Sequence, residues 1–324
     1  MTHNPVTRLG LQLAGYSFPG VADADIFTRV AEVAQVAESA GFDSLWTMDH
    51  LHQIDSIGDR EEPILESYTT LAALAAITTS ARLGVLVTAC GFRNPALLAK
   101  MITTIDIISG GRAIMGIGAG WHQEEFAAYG MPFPPTPQRL QQLAEVVQIC
   151  RAMFTQHAPS FSGQHYQISG PLNMPRPISS AGPPILIGGG GERVLIPIIA
   201  KFGDACNFFG APATVRHKIG VLERACAAVG RDPGEITKTW LGHVLIADNE
   251  TELQIAVDRL GRLYQLSARA TRGFALCGTD TDVVEQLAAY RSAGVDGVIV
   301  TVLEPGDAAY IRRVGETLRQ AFDD

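Results

Sequence analysis

Short apolar runs alternate with amphipathic helical stretches from one end of this 324-residue chain to the other, and this alternation restricts the fold more than any other feature. Residues 9–13 read as a first strand and 23–40 as a helix closed by Gly41. Strands at 44–48, 83–87 and 113–117 follow, with helices at 68–79, at 95–108 (Pro95 in its first turn) and from about 138. A strand at 185–187 runs into four glycines and a helix at 194–202. Strands at 205–209, 239–247 and 295–302 then alternate with helices at 213–229, 250–262, 282–293 and 308–322. Eight strand–helix units require parallel pairing through right-handed crossovers. The pattern therefore predicts an α/β fold, a (β/α)8 TIM barrel. Insertions follow strands 4 and 7, and residues 156–182 make a long connection between helix 4 and strand 5. A doubly wound open sheet would need fewer strands and a second domain. No break in composition marks such a boundary, so 1–324 is expected to be one barrel domain.

Composition narrows the partners. The formal net charge is −8, and Lys and Arg never run beyond two in a row. This argues against nucleic acid or an anionic membrane as the ligand. The five cysteines, Cys90, Cys150, Cys206, Cys226 and Cys277, are scattered and never spaced Cys-x-x-Cys, as expected of buried thiols in a reducing compartment. The N-terminal stretch lacks the apolar core of a signal peptide, and no segment reaches membrane-span length. The expectation is a cytoplasmic protein with a small-molecule substrate.

Chemically versatile residues gather just after the strands, which in a barrel is the face that carries active sites. Asp49, His50 and His52 follow strand 2; Thr88 and Cys90 follow strand 3. The run Gly118-Ala119-Gly120-Trp121-His122 follows strand 4, and Asn207 ends strand 6. Asp49-His50 is the best catalytic pair, because imidazole titrates near neutrality and can accept or return a proton. The competing reading makes Asp49 a backbone cap and His50 a packing residue. His50-x-His52 resembles the metal pair of barrel hydrolases, but later strands offer glycine and Asn207 where further ligands are needed, so no metal is expected. Gly116-x-Gly118-x-Gly120 lacks the spacing of a dinucleotide fingerprint and reads as a strand passing close to a flat ligand, with Trp121 as a wall. The four lysines avoid strand ends, and neither a Gly-Lys-Ser/Thr loop nor a Gly-x-Ser-x-Gly elbow is present.

The glycines Gly188, Gly189, Gly190 and Gly191 lie between a strand and a helix N-terminus. Bare N–H groups and the helix dipole there make an anion cradle. A flexible turn would need only one or two glycines.

Several motifs together resemble one family. They are Trp46-Thr-Met-Asp-His50, Leu83-Gly-Val-Leu-Val-Thr88, Arg93-Asn-Pro, Asp106-Ile-Ile-Ser-Gly-Gly-Arg112, Gly116-Ile-Gly-Ala-Gly-Trp121 and Ile187-Gly-Gly-Gly-Gly-Glu192. Across nearly the whole chain they look like the luciferase-like monooxygenase superfamily, and specifically its deazaflavin (coenzyme F420) dependent oxidoreductase branch. The resemblance implies hydride transfer between the deazaflavin and a carbonyl, alcohol or activated alkene, usually in a homodimer. His50 would lie beside the reactive ring carbon with Asp49 as its acidic neighbour. Leu86, Val87 and Thr88 would back the ring, with a non-prolyl cis peptide at Leu86–Val87. Gly118, Gly120 and Glu124 would also bind the cofactor, and Gly188 to Gly191 its phosphate. Glu192 is expected to point away from that anion and serve the N-terminus of the following helix. Phe18, Trp121 and Phe133 would wall the substrate pocket, shaped further by the insertions 121–137 and 156–182. Trp121 stands where some sugar-phosphate dehydrogenases of the branch carry a glutamate acid, which argues against that substrate. An FMN-dependent monooxygenase that uses oxygen, and a non-catalytic flavin-binding barrel, remain open as alternatives.

Overall fold

The computed structural model describes residues 5–322. Eight strands form the barrel: β1 (Leu9–Leu13), β2 (Ser44–Thr47), β3 (Arg82–Val85), β4 (Ala113–Gly118), β5 (Ile185–Gly188), β6 (Ala205–Phe208), β7 (Thr237–Ile246) and β8 (Gly297–Thr301). Each pairs in parallel with its sequence neighbour, and β8 pairs with β1 to close the cylinder. The helices outside are α1 (Ile26–Ser39), α2 (Ser67–Ile77), α3 (Pro95–Ser109), α4 (Gln123–Ala128), α5 (Thr136–Thr155), α6 (Leu195–Phe202), α7 (Pro212–Ala228), α8 (Glu250–Tyr264), α9 (Ala268–Phe274), α10 (Asp280–Ser292) and α11 (Ala308–Gln320). The eight-stranded barrel expected from the alternation is the fold observed.

Strand alternation sorts side chains between helix layer and barrel interior. Leu9, Leu11 and Leu13 of β1 join the large core under the helices, while Gly10 and Gln12 turn inward. The interior floor is a separate cluster of Val6, Trp46, Ile114, Leu186, Ala205 and Ile299. Trp46 fills it, fully buried, with its Nε1–H donating to Ser44 Oγ at 2.8 Å. A ring of that size fits because both neighbouring strands present glycine. A Cβ on Gly84 would lie 2.4 Å from Trp46 Cζ3, and one on Gly10 2.7 Å from its Nε1. Above the tryptophan lies a polar layer. Thr301 Oγ1 donates to Gln12 Oε1 at 2.8 Å, Gln12 Nε2 donates to the Leu86 carbonyl at 3.2 Å, and Asn207 Nδ2 donates to Thr239 Oγ1 at 2.9 Å.

Three regions depart from the simple repeat. The predicted strand 83–87 stops at Val85; Leu86–Val87 is a non-prolyl cis peptide, and Thr88–Ala89 continues beside β4 instead. The connection expected to be irregular before residue 138 contains α4, and α5 starts at Thr136. Residues 156–182 carry a small antiparallel hairpin, Ser160–Ser162 with Gln167–Ser169. After α8, the insertion folds as α9 and a short strand, Leu276–Gly278, which pairs with the upper half of β7. The helix after the glycines begins at Leu195, so Glu192 to Val194 form a turn between cradle and helix.

The loop that feeds β3 is clamped by one carboxylate. Glu38, near the end of α1, accepts hydrogen bonds from the N–H groups of Thr79, Ser80 and Ala81 at 2.5–3.1 Å. Burial alone would raise its pKa, but these donors outweigh burial and bring it down to about 2.

Two stability predictions follow from these contacts. Gly84→Ala overpacks the floor against Trp46 and is expected to cost about 1–3 kcal/mol in urea unfolding. Because the folded-state pKa of Glu38 is depressed, its contribution is present above the ordinary carboxylate range and is lost as pH falls toward 2. The difference in stability between wild type and Glu38→Gln should therefore be largest at neutral pH and shrink below pH of about 4.

Candidate functional site

The C-terminal mouth of the barrel opens into a cavity of about 570 Å3. Its walls are mostly apolar: Met48, Ile57, Leu86, Val87, Leu241 and Phe274 face it, among others. Glycine backbone completes the wall at Gly118, Gly120, Gly188 and Gly189. The glycines serve Val87 directly. A Cβ on Gly118 would approach Val87 Cγ2 to 2.9 Å, and one on Gly188 would approach Val87 Cγ1 to 2.8 Å. The side chain after the cis peptide thus seats between two glycines on β4 and β5, and the wall stays smooth.

His50 lines this cavity and is held from behind. Its Nδ1 lies 3.0 Å from Glu125 Oε2, while Glu125 Oε1 accepts from the N–H of Leu51 at 2.5 Å. The Glu125 side chain is only 1% exposed. Burial pushes its pKa up, but the His50 hydrogen bond and the Leu51 N–H pull harder, and the pKa is lowered overall. A carboxylate in this position can only accept, so Nδ1 carries a proton toward it and Nε2 is the ring nitrogen left without a protein partner. Trp121, 63% exposed, sets its ring edge-on to His50 at 5.6 Å.

Asp49 has a different task. Its buried carboxylate takes both guanidinium nitrogens of Arg93, at 2.6 and 3.0 Å, and the Ser67 hydroxyl at 2.5 Å. Arg93 also pairs with Glu66 and stacks over Tyr68, whose hydroxyl lies 2.5 Å from Thr88 Oγ1. This network locks the β2 loop onto α2 and α3 and engages both oxygens of Asp49, a residue that also lines the cavity. Thr88 is fully buried in it and stands behind the wall.

Other predicted residues are placed as follows. Gly190 and Gly191 continue from Gly189 without lining the cavity, and Lys218 from α7 donates to the Gly190 carbonyl at 2.7 Å. Glu192, expected to serve the N-terminus of the following helix, instead pairs with His217 and with the same Lys218 ammonium that meets the Gly190 carbonyl, and that helix has no side-chain cap. Glu124 is exposed and does not face the cavity; the inward carboxylate of α4 is its neighbour Glu125. Phe18 is buried in the helix-side core beside Gly306, away from the cavity. Phe133 packs on Phe126 at 5.0 Å and under Arg139, one layer behind the wall. All five cysteines are free and buried.

Sequence reasoning missed Glu125, Lys218 and the far wall of the pocket. There Tyr264 faces the cavity, with its hydroxyl 2.9 Å from His243 Nε2. Burial lowers the His243 pKa to about 4. The one local signal for Glu125 is its position beside buried Phe126 on a short helix, three residues after His122. No helix among the described residues is long and apolar enough to cross a membrane.

The family model of the luciferase-like monooxygenases matches residues 12–297. A pyrimidine monooxygenase, RutA, of Allorhizobium ampelinum is 32% identical over 69% of this chain, a match that spans 61% of that relative's length. An F420-dependent glucose-6-phosphate dehydrogenase of Kineococcus radiotolerans is 29% identical over 74% of this chain and 68% of its own. An F420-dependent secondary alcohol dehydrogenase, solved with an F420–acetone adduct, superposes with a TM-score of 0.82 at 19% identity. It covers 98% of this chain and 99% of its own, a likeness of fold. The chain belongs to the luciferase-like monooxygenase family.

Proposed function

We propose that this protein is an F420-dependent oxidoreductase that moves a hydride between a deazaflavin and a small organic carbonyl, alcohol or activated alkene. The observation that carries the reading is His50, fixed by a buried carboxylate at the edge of an apolar cavity and presenting Nε2 to it. A flat ring with a phosphorylated tail fits the residues present. The smooth wall of Leu86, Val87, Gly118 and Gly188 suits the ring. Beyond Gly189, which lines the cavity, the N–H groups of Gly190 and Gly191 have no hydrogen-bond partner among the described residues, and the Lys218 ammonium lies beside them. The bound cofactor supplies the hydride or accepts it.

The protein's own residues do the rest. Glu125 keeps the His50 proton on Nδ1, so Nε2 takes up or returns the proton that accompanies hydride transfer to or from a substrate oxygen. Apolar Met48, Ile57, Leu241 and Phe274 keep water from the reacting groups and favour a substrate with little charge. The likeness to RutA supports a second reading, an FMN-dependent monooxygenase in the same cavity.

Titrating the purified protein with oxidised F420 and with FMN separates the two. The proposal expects F420 to bind more tightly, and reduced F420 to be oxidised on adding a carbonyl substrate. Tight binding of FMN alone, with oxygen uptake dependent on a flavin reductase, would overturn it. His50→Ala should lower kcat by about 10²–10⁴-fold while leaving F420 affinity nearly intact. Glu125→Gln, which keeps an acceptor for Nδ1–H, should retain more activity than Glu125→Ala. Asp49→Ala leaves Arg93 without its buried partner and should appear mainly as lost stability, about 3–5 kcal/mol in denaturant unfolding.

A further inference from the structure

We propose that His50, His122 and Glu125 form a binding site for a divalent transition-metal ion of the zinc class, whose occupancy takes His50 and Glu125 out of the proton-exchange arrangement described above. One ligand atom from each lies within 4.8 Å of the others. The sequence pointed away from a metal because strands 5 and 6 offer no ligands. The fold instead draws the donors from the loop after β2 and from the loop and helix after β4.

Two orphaned nitrogens point to a ligand here. His122 Nδ1 is buried and has no hydrogen-bond partner among the described residues, yet it faces Glu125 Oε2 across 3.9 Å. That gap is too long for a hydrogen bond and just under twice a zinc–ligand bond of about 2.0–2.2 Å. His52 is the second case. Its Nδ1 lies 3.1 Å from the Gln53 carbonyl, which can only accept, so the proton is on Nδ1. Its Nε2 is buried and has no hydrogen-bond partner among the described residues, in a ring 5.2 Å from that of His122. Buried ring nitrogens without partners beside an anionic carboxylate leave polar capacity unmet, and a cation bound among them takes it up.

Imidazole nitrogen with one carboxylate suits zinc, copper or nickel, whereas magnesium and calcium prefer all-oxygen shells. An ion held by Glu125 Oε2 and His50 Nδ1 takes the place of the proton shared between them, and the ring takes up a proton at Nε2 in exchange, so the imidazole changes tautomer with no net loss of a proton. His50 is then tied to the metal and cannot be positioned as before.

Calorimetric titration of the full chain with Zn2+, and separately with Mg2+, tests the site. One Zn2+ per chain and no response to Mg2+ are expected. His122→Gln should weaken Zn2+ binding about tenfold or more, since even outer-shell partners of metal ligands are worth about 10–100-fold in affinity. His157→Gln, at an exposed histidine, should leave it unchanged. Electron paramagnetic resonance of Cu2+ bound to the wild type gives a reading that needs no variant, and coupling to two imidazole nitrogens is expected. No Zn2+ binding, equal affinity in His122→Gln, or copper coupled to fewer than two imidazoles would each overturn the site.

Discussion

The buried carboxylate of Glu125 holds the site together. It comes from α4, in the excursion after β4, and reaches the loop after β2, so one side chain fastens two segments the barrel scaffold leaves free. Without it the Leu51 N–H would lose a charge-assisted bond and His50 would turn about its side-chain torsions. Desolvation works against the charge, and three donors around the carboxylate compensate. A buried anion is maintained only where such donors are supplied, so the sequence after β2 and the helix after β4 constrain each other. The Asp49–Arg93 pair does the same work on the other side of His50, fastening the loop to α2 and α3.

Glycine makes the rest of the mouth possible, by absence of volume more than by flexibility. Gly10 and Gly84 leave room for Trp46 at the floor, and Gly118 and Gly188 leave room for Val87 higher up. Trp46 and Val87 are thus each matched by glycines on two other strands, as close packing demands. Where the strand turns at Leu86–Val87, Gln12 holds the Leu86 carbonyl from inside the barrel and Thr301 holds Gln12. The cavity wall thus depends on residues from β1, β4, β5 and β8 at once.

The architecture was legible because its signals are periodic. Eight strand–helix repeats, the position of Asp49-His50 after the second and of the glycines after the fifth can all be read along the chain. What failed was the choice among neighbours. Glu124 and Glu125 differ by one position, and only the rotation of a six-residue helix, too short for a clear pattern, decides which points inward. Phe18 and Phe133 are apolar and near the right loops, but one packs under the helices and the other behind Phe126. Lys218 lies mid-helix, 28 residues from the glycine whose carbonyl it meets, and Tyr264 reaches the cavity from the last position of α8. Contacts of that kind are set by tertiary packing, and no local pattern in the sequence announces them.

The central claim is that Glu125 fixes the tautomer of His50, leaving Nε2 as the nitrogen that exchanges a proton in the cavity. Long-range 15N–1H correlation NMR of histidine-labelled protein reads this directly, with His50→Gln used to assign the signal. The expected result is a neutral ring protonated at Nδ1, with Nε2 at the chemical shift of an unprotonated nitrogen. A ring protonated at Nε2, or a shift averaged over both tautomers, would contradict the claim.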